Sequence, residues 1–160
     1  MDITIERDGT LIIDDAMITF RNFAGTATMY NRAGDRNFAL IINDEEVARK
    51  LADAGWNVRI KEVDDNVYMH LPVKIKFNSR GPSVYLKSGK AMRKLDEDTV
   101  ECLDQIDIQS VDLNIRPYDW ELPSGKTGRS AYLDAIWVTQ KLDRFADRFE
   151  SHVSEDDCPF

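Results

Sequence analysis

Between Asn66 and Leu95 the chain carries Lys74, Lys76, Arg80, Lys87, Lys90, Arg93 and Lys94 and no acid, a net charge of +7. Tyr68, His70 and Tyr85 are interleaved with these cations. Residues two apart in a strand share a face. In Val67 to Phe77 the odd positions Val67, Met69, Leu71, Val73, Ile75 and Phe77 therefore form an apolar face, with Tyr68, His70, Pro72, Lys74 and Lys76 opposite. In the next strand Val84 and Leu86 turn inward and leave Tyr85 and Lys87 outside. Cations that track phosphates beside aromatic faces that stack on unpaired bases are what sequence-independent single-strand binding requires, at ~1–3 kcal/mol per stacked base. Lysines alone would serve equally as a charged, aggregation-resistant edge; tyrosines among them favour the binding reading. Arg116, Tyr118 and Trp120 repeat the pattern on one parity, with Lys126 and Arg129 in the loop that follows.

A second constellation is Glu155, Asp156, Asp157, Cys158, Pro159 and Phe160. Acids steer a peptide toward a basic cleft, Pro159 restricts φ and lowers the cost of ordering, and Phe160 offers a ring beside a carboxylate. The bland alternative is an ordinary frayed acidic end. Residues 142–160 hold six acids against Arg144 and Arg148, a net −4. This divides the chain into a nucleic-acid-binding domain over 1–141 and an acidic C-terminal tail over 142–160.

The tip resembles that of bacterial single-stranded DNA-binding proteins (SSBs), where it is a docking peptide. Two departures, Cys158 in place of an aliphatic residue and the lack of a Gly/Gln/Pro-rich linker, turn the resemblance toward the compact SSBs of phage replication. A further resemblance lies in Val111 to Tyr118, a Gly-bearing loop and Arg129 to Val138, similar to the closing strands of phage OB-fold SSBs. The resemblance implies single-stranded DNA as ligand in replication, recombination and repair. It also implies recruitment of a helicase, polymerase, primase or nuclease through residues 155–160. An acidic tail tethered to a basic groove competes with DNA for it, so masking of the groove is expected as well.

At 160 residues, with 42% hydrophobic and 31% charged residues, one globular domain with a real core is expected. Apolar stretches such as Phe38 to Ile42 are too short to span a bilayer, and the N-terminal residues show no apolar signal segment, so a cytoplasmic location is expected. Cys102 and Cys158 form no disulfide framework. Alternating apolar and polar residues predict a mainly β protein. The expected elements are a hairpin over Ile3 to Ile13 around Asp8-Gly9, strands at Ala16 to Phe23 and Arg36 to Asn43, and a helix from Asp44 to about Ala54 ended by Gly55. Strands follow at Asn57 to Val63, Val67 to Phe77 and Ser83 to Lys87. A basic loop then leads to a short helix near Asp96 or Asp98, and a long hairpin spans Ile106 to Trp120 and Arg129 to Thr139. An OB-like small β-barrel is the expected fold, with a β-sandwich as alternative.

Catalysis finds little support: His70 and His152 stand apart, and no metal-ligand spacing involves either cysteine. Ser124-Gly125-Lys126-Thr127 lacks the upstream glycine and the strand-to-helix context of a phosphate loop. Neither cofactor nor metal is expected; a homo-oligomer is compatible with the chain. The competing class is an acidic interaction protein, a DNA-mimic inhibitor or adaptor, which the net charge of −8 favours. Thirty consecutive residues without an acid oppose it.

Overall fold

A computed structural model describes residues 1–142, and the candidate tip 155–160 lies outside the described residues. The N-terminal hairpin pairs β1 (Asp2–Ile5) with β2 (Leu11–Asp14) across a turn in which Gly9 takes φ +91°, a value its missing Cβ makes inexpensive. β3 (Met17–Asn22) pairs antiparallel with β4 (Arg36–Ile42). The helix α1 (Glu45–Asp53) begins where the Asp44 carboxylate accepts from the Glu46 N–H at 2.9 Å. It stops where Gly55 turns to φ +94°. β5 (Arg59–Val63), β6 (Asn66–Ile75), β7 (Ser83–Ser88) and β8 (Ala91–Leu95) follow, then a 3-10 turn over Val100–Asp104. The long β9 (Ile108–Glu121) and β10 (Thr127–Gln140) close the fold.

Hydrogen-bonded neighbours run β3-β4-β6-β10-β9, with β2 and β1 continuing from β9 and β5 added beside β6. Among the described strands, parallel pairing occurs only along β10, which meets β6 at Ala131–Tyr132 and β7 at Ala135–Thr139. β6 and β7 thus act as one long strand interrupted by the projecting loop 76–82. Five strands in this order, with one parallel contact, make the OB arrangement expected above. Among the described residues no ladder closes the barrel: the backbone bond from Ala16 N–H, just before β3, to Val111 O at 2.7 Å links that end of β3 back to β9. The core gathers Leu11, Ile13, Phe23, Phe38, Leu40, Leu71, Val73, Val84, Leu113, Ile115 and Ile136, with Phe23 and Phe38 stacked 5.4 Å apart.

Two readings of the basic segment change. The stretch after Lys87 is not a loop but the hairpin β7/β8, turned at Gly89-Lys90, with Tyr85 opposite Lys94 and Leu86 opposite Arg93. Three cations within five residues hid the alternation of Ala91, Arg93 and Leu95. Val67, on the inward parity of β6, is 53% exposed because β5 and β6 project past the core there.

Candidate functional site

Register places Asn37 of β4 opposite Lys74 of β6, Lys74 beside Tyr132 of β10, and Tyr132 opposite Arg116 of β9. The strand neighbours Phe38, Val73, Ile75, Ala131, Leu133 and Ile115 are buried, so this row lies on the outward face. The Lys74 Nζ sits 5.9 Å from the centre of the Tyr132 ring, and Tyr118 meets that ring edge-on at 5.7 Å. A cleft of about 660 Å³ runs along the Asn37–Lys74–Tyr132 part of the row, lined also by Phe20, Arg36, His70 and Lys76. Burial, then the nearby Arg59 charge, lowers the His70 pKa from its usual 6.5 and keeps the ring neutral at pH 7. Tyr68, 55% exposed, extends the aromatic line along β6 and lies opposite Lys61.

A second cluster lies beyond loop 76–82. Tyr85 and Trp137 stack nearly parallel at 5.9 Å, and the Lys94 Nζ approaches the Tyr85 ring to 6.0 Å. Lys87 is exposed on the same outward parity, and Lys90 occupies the hairpin turn. Arg80 is exposed in the loop, where its N–H donates to the Asn78 side chain at 2.9 Å. Among the described residues the ion pairs are Arg32–Asp35, Arg49–Glu45 and Arg129–Asp119, so Lys74, Lys76, Lys87, Lys94 and Arg116 have no carboxylate partner there. Cations left unpaired on an aromatic face suit a polyanion with exposed rings.

Two of the expected site residues, Arg129 and Arg93, turn to the inward parity of their strands, whereas Trp120 shares the outward parity of Arg116 and Tyr118. Arg129 shares the inward parity of Ala131 and Leu133, bonds the Asp119 carboxylate at 2.7 Å and lies over the Trp56 ring at 5.5 Å. Its guanidinium is held by these contacts, and the hydrogen bond with Asp119 raises its pKa while lowering that of Asp119. Trp120 packs on its cross-strand partner Gly128, where a Cβ would lie 2.2 Å from the indole. Arg93 is half-buried on the same parity as buried Leu95. Lys126 is exposed in a tight turn in which the Leu122 N–H donates to the Lys126 carbonyl.

Tyr132, Trp137 and Phe20 belong to this face although residue pattern did not select them. The β10 register slips between Leu133 and Ala135, so Tyr132 and Trp137 point outward although their numbers differ in parity. Among the aromatics near Arg21, Arg32 and Arg36, Phe23 and Phe38 are buried whereas Phe20 and Tyr30 are exposed. No group of His, Cys, Asp or Glu suited to a metal occurs among the described residues. No helix among them is long and apolar enough to cross a membrane.

The sequence matches the family described as "Putative phage ssDNA-binding domain" over residues 2–158. Among solved structures, the fold is similar to the single-stranded DNA-binding protein from bacteriophage Enc34 in complex with ssDNA. The TM-score is 0.56 at 11% identity, covering 89% of this chain and 93% of that one. The C-terminal truncation of the same phage protein gives 0.53 at 12% identity, over 86% and 88% of the two chains. A third structure of it gives 0.52 at 12% identity, over 98% of each. No curated protein matches the chain. At these identities the structural likeness is one of fold.

Proposed function

The chain belongs to the phage ssDNA-binding domain family and is a single-stranded DNA-binding protein, and on that premise we propose that the strand lies along the outward face of β4, β6 and β10. The observation that carries this path is the cross-strand row Lys74–Tyr132–Arg116, a cation on each side of an aromatic ring. Tyr68, His70, Lys76 and Tyr118 extend it. Tyr85, Lys87 and Lys94, with Trp137, form a second contact region beyond the loop that carries Arg80. Lys90 and Lys126, both exposed, supply positive charge at the margins of the path, and no residue is assigned a catalytic step. The protein acts in the cytoplasm of the host cell. The acidic adaptor reading gives way to the family assignment.

Titration of the intrinsic tryptophan fluorescence with an oligothymidine at two salt concentrations, against a duplex of equal length, tests the path. Trp137 is 37% exposed and stacked on Tyr85, so its emission is expected to fall with single strands and not with duplex. Tight binding that Lys74, Tyr132 and Arg116 variants leave untouched would place the strand elsewhere.

The neutral His70 adds a pH signature. A bound phosphate favours the imidazolium, so binding takes up a proton and affinity should rise a few-fold as pH falls from about 7.5 to about 5.5. His70→Gln should flatten that rise; an unchanged slope would remove His70 from the path.

The acidic segment 142–160 supplies the second half of the proposal, in which it competes with DNA and its residues 155–160 dock on a replication or recombination protein such as a helicase, polymerase, primase or nuclease. β10 ends at Gln140 beside Lys87 and the β7/β8 turn, so the segment departs next to basic residues. Tethering at that distance gives a high effective concentration. Removing residues 154–160 should tighten oligonucleotide binding and abolish capture of the partner. Unchanged affinity would eliminate the masking role.

A further inference from the structure

β3 is regular through Thr19, which pairs with Ala39, and resumes at Asn22, which pairs with Asn37. Phe20 and Arg21 therefore both face Phe38, an extra residue that makes a bulge. Within it Phe20 takes φ +51°. Among the described residues the other non-glycine positions with positive φ are Asp15, Asp64 and Asp65, a side-chain type that tolerates this region in turns. A bulky aromatic does not tolerate it, and such strain persists only where surrounding contacts over-determine it.

Those contacts are present. The Arg21 Nη1 donates to the carbonyls of Leu103 at 2.6 Å and Ile106 at 2.8 Å. The Asp104 carboxylate accepts from the N–H groups of Phe23 at 2.7 Å and Ala24 at 2.9 Å. The 3-10 turn and Ile106 thus grip Arg21 within the bulge and Phe23 and Ala24 beyond it, while Phe23 is anchored on Phe38 in the core. All of this holds a ring that buries little: Phe20 is 73% exposed. Core packing does not account for it.

The ring's position does. Phe20 meets His70 edge-on at 6.1 Å and is the residue shared by three adjoining clefts. One is lined by Arg21 and Tyr30, the second by Lys74 and Tyr132, the third by Lys61 and Tyr68. We propose that Phe20 is a nucleobase-stacking residue at the junction of these clefts, and that Arg21 and Asp104 are positioning residues that hold the bulge. The ligand is one unpaired base of the strand, so the inference rests on the path given under Proposed function.

The test compares Phe20→Gly, Phe20→Trp and Tyr132→Ala in the full chain, measuring oligothymidine affinity and thermal melting. Glycine relieves the strain and removes the ring. Phe20→Gly should lose affinity about tenfold or more while melting at the same or a higher temperature. Phe20→Trp should keep affinity and gain a fluorescence signal quenched by the oligonucleotide. If Tyr132→Ala weakens binding but Phe20→Gly does not, the stacking role is overturned and the path survives. If neither weakens binding although the wild type binds, both fail. A Phe20→Gly protein that melts lower and binds normally would mark the bulge as purely structural.

Discussion

Replacing Tyr132 with alanine is expected to weaken oligothymidine binding by about 10- to 100-fold with little change in melting temperature. The range follows from ~1–3 kcal/mol for each base stacked on an aromatic ring, tenfold being about 1.4 kcal/mol. Tyr132 sits at the centre of the proposed path. Lys74 approaches its ring from β6, Arg116 lies opposite on β9, and Tyr118 meets its edge. Its strand neighbours Ala131 and Leu133 carry the core contact, so truncation opens no cavity there. Surface changes of this kind usually move stability within ~0.5 kcal/mol. Fluorescence titration beside a thermal melt separates the two quantities, and full affinity in Tyr132→Ala would move the binding face off β10.

Reversing both flanking charges, Lys74→Glu with Arg116→Glu, is expected to have the larger effect, a loss of about 100-fold or more at low salt. Each contact to a phosphate contributes ~0.7 to the slope of log affinity against log salt for a single strand. Losing two should flatten that slope by about 1.4, and the new carboxylates add repulsion that salt screens. Neither cation has an ion-pair partner among the described residues, so the change breaks no ion pair there and loses only the approach of Lys74 to the Tyr132 ring. Affinity measured from about 50 to about 200 mM salt checks the slope. An unchanged slope would identify both side chains as solubilising charge on a surface that DNA does not touch.

These expectations rest on features of different legibility. Outward placement of Tyr68, Lys74 and Tyr85 follows from period-two alternation, because a strand that buries Leu71, Val73, Val84 and Leu86 must present the intervening residues outside. The hairpin at Asp8-Gly9 and the helix between Asp44 and Gly55 follow from local chemistry in the same way: glycine accepts positive φ, and an aspartate caps free N–H groups. The β8 strand was hidden by its own composition, since a run rich in lysine and arginine reads as solvated loop until its pairing with β7 is seen.

What residue order alone determined about this protein is most of the strands, the face most of them would bury and the concentration of positive charge without an acid in one segment. Those properties come from interactions a few residues apart. Tertiary structure decided which faces meet. The parallel docking of β6 and β7 on β10 brought Tyr132 beside Lys74 and Trp137 beside Tyr85, joining residues more than fifty positions apart. Partner choice across β9 and β10 gave Arg129 to Asp119 and Trp56 rather than to the outward face. The bulge at Phe20 depends on Arg21 and Asp104, over 80 residues apart, and no local periodicity encodes a contact that forms only once the barrel has assembled.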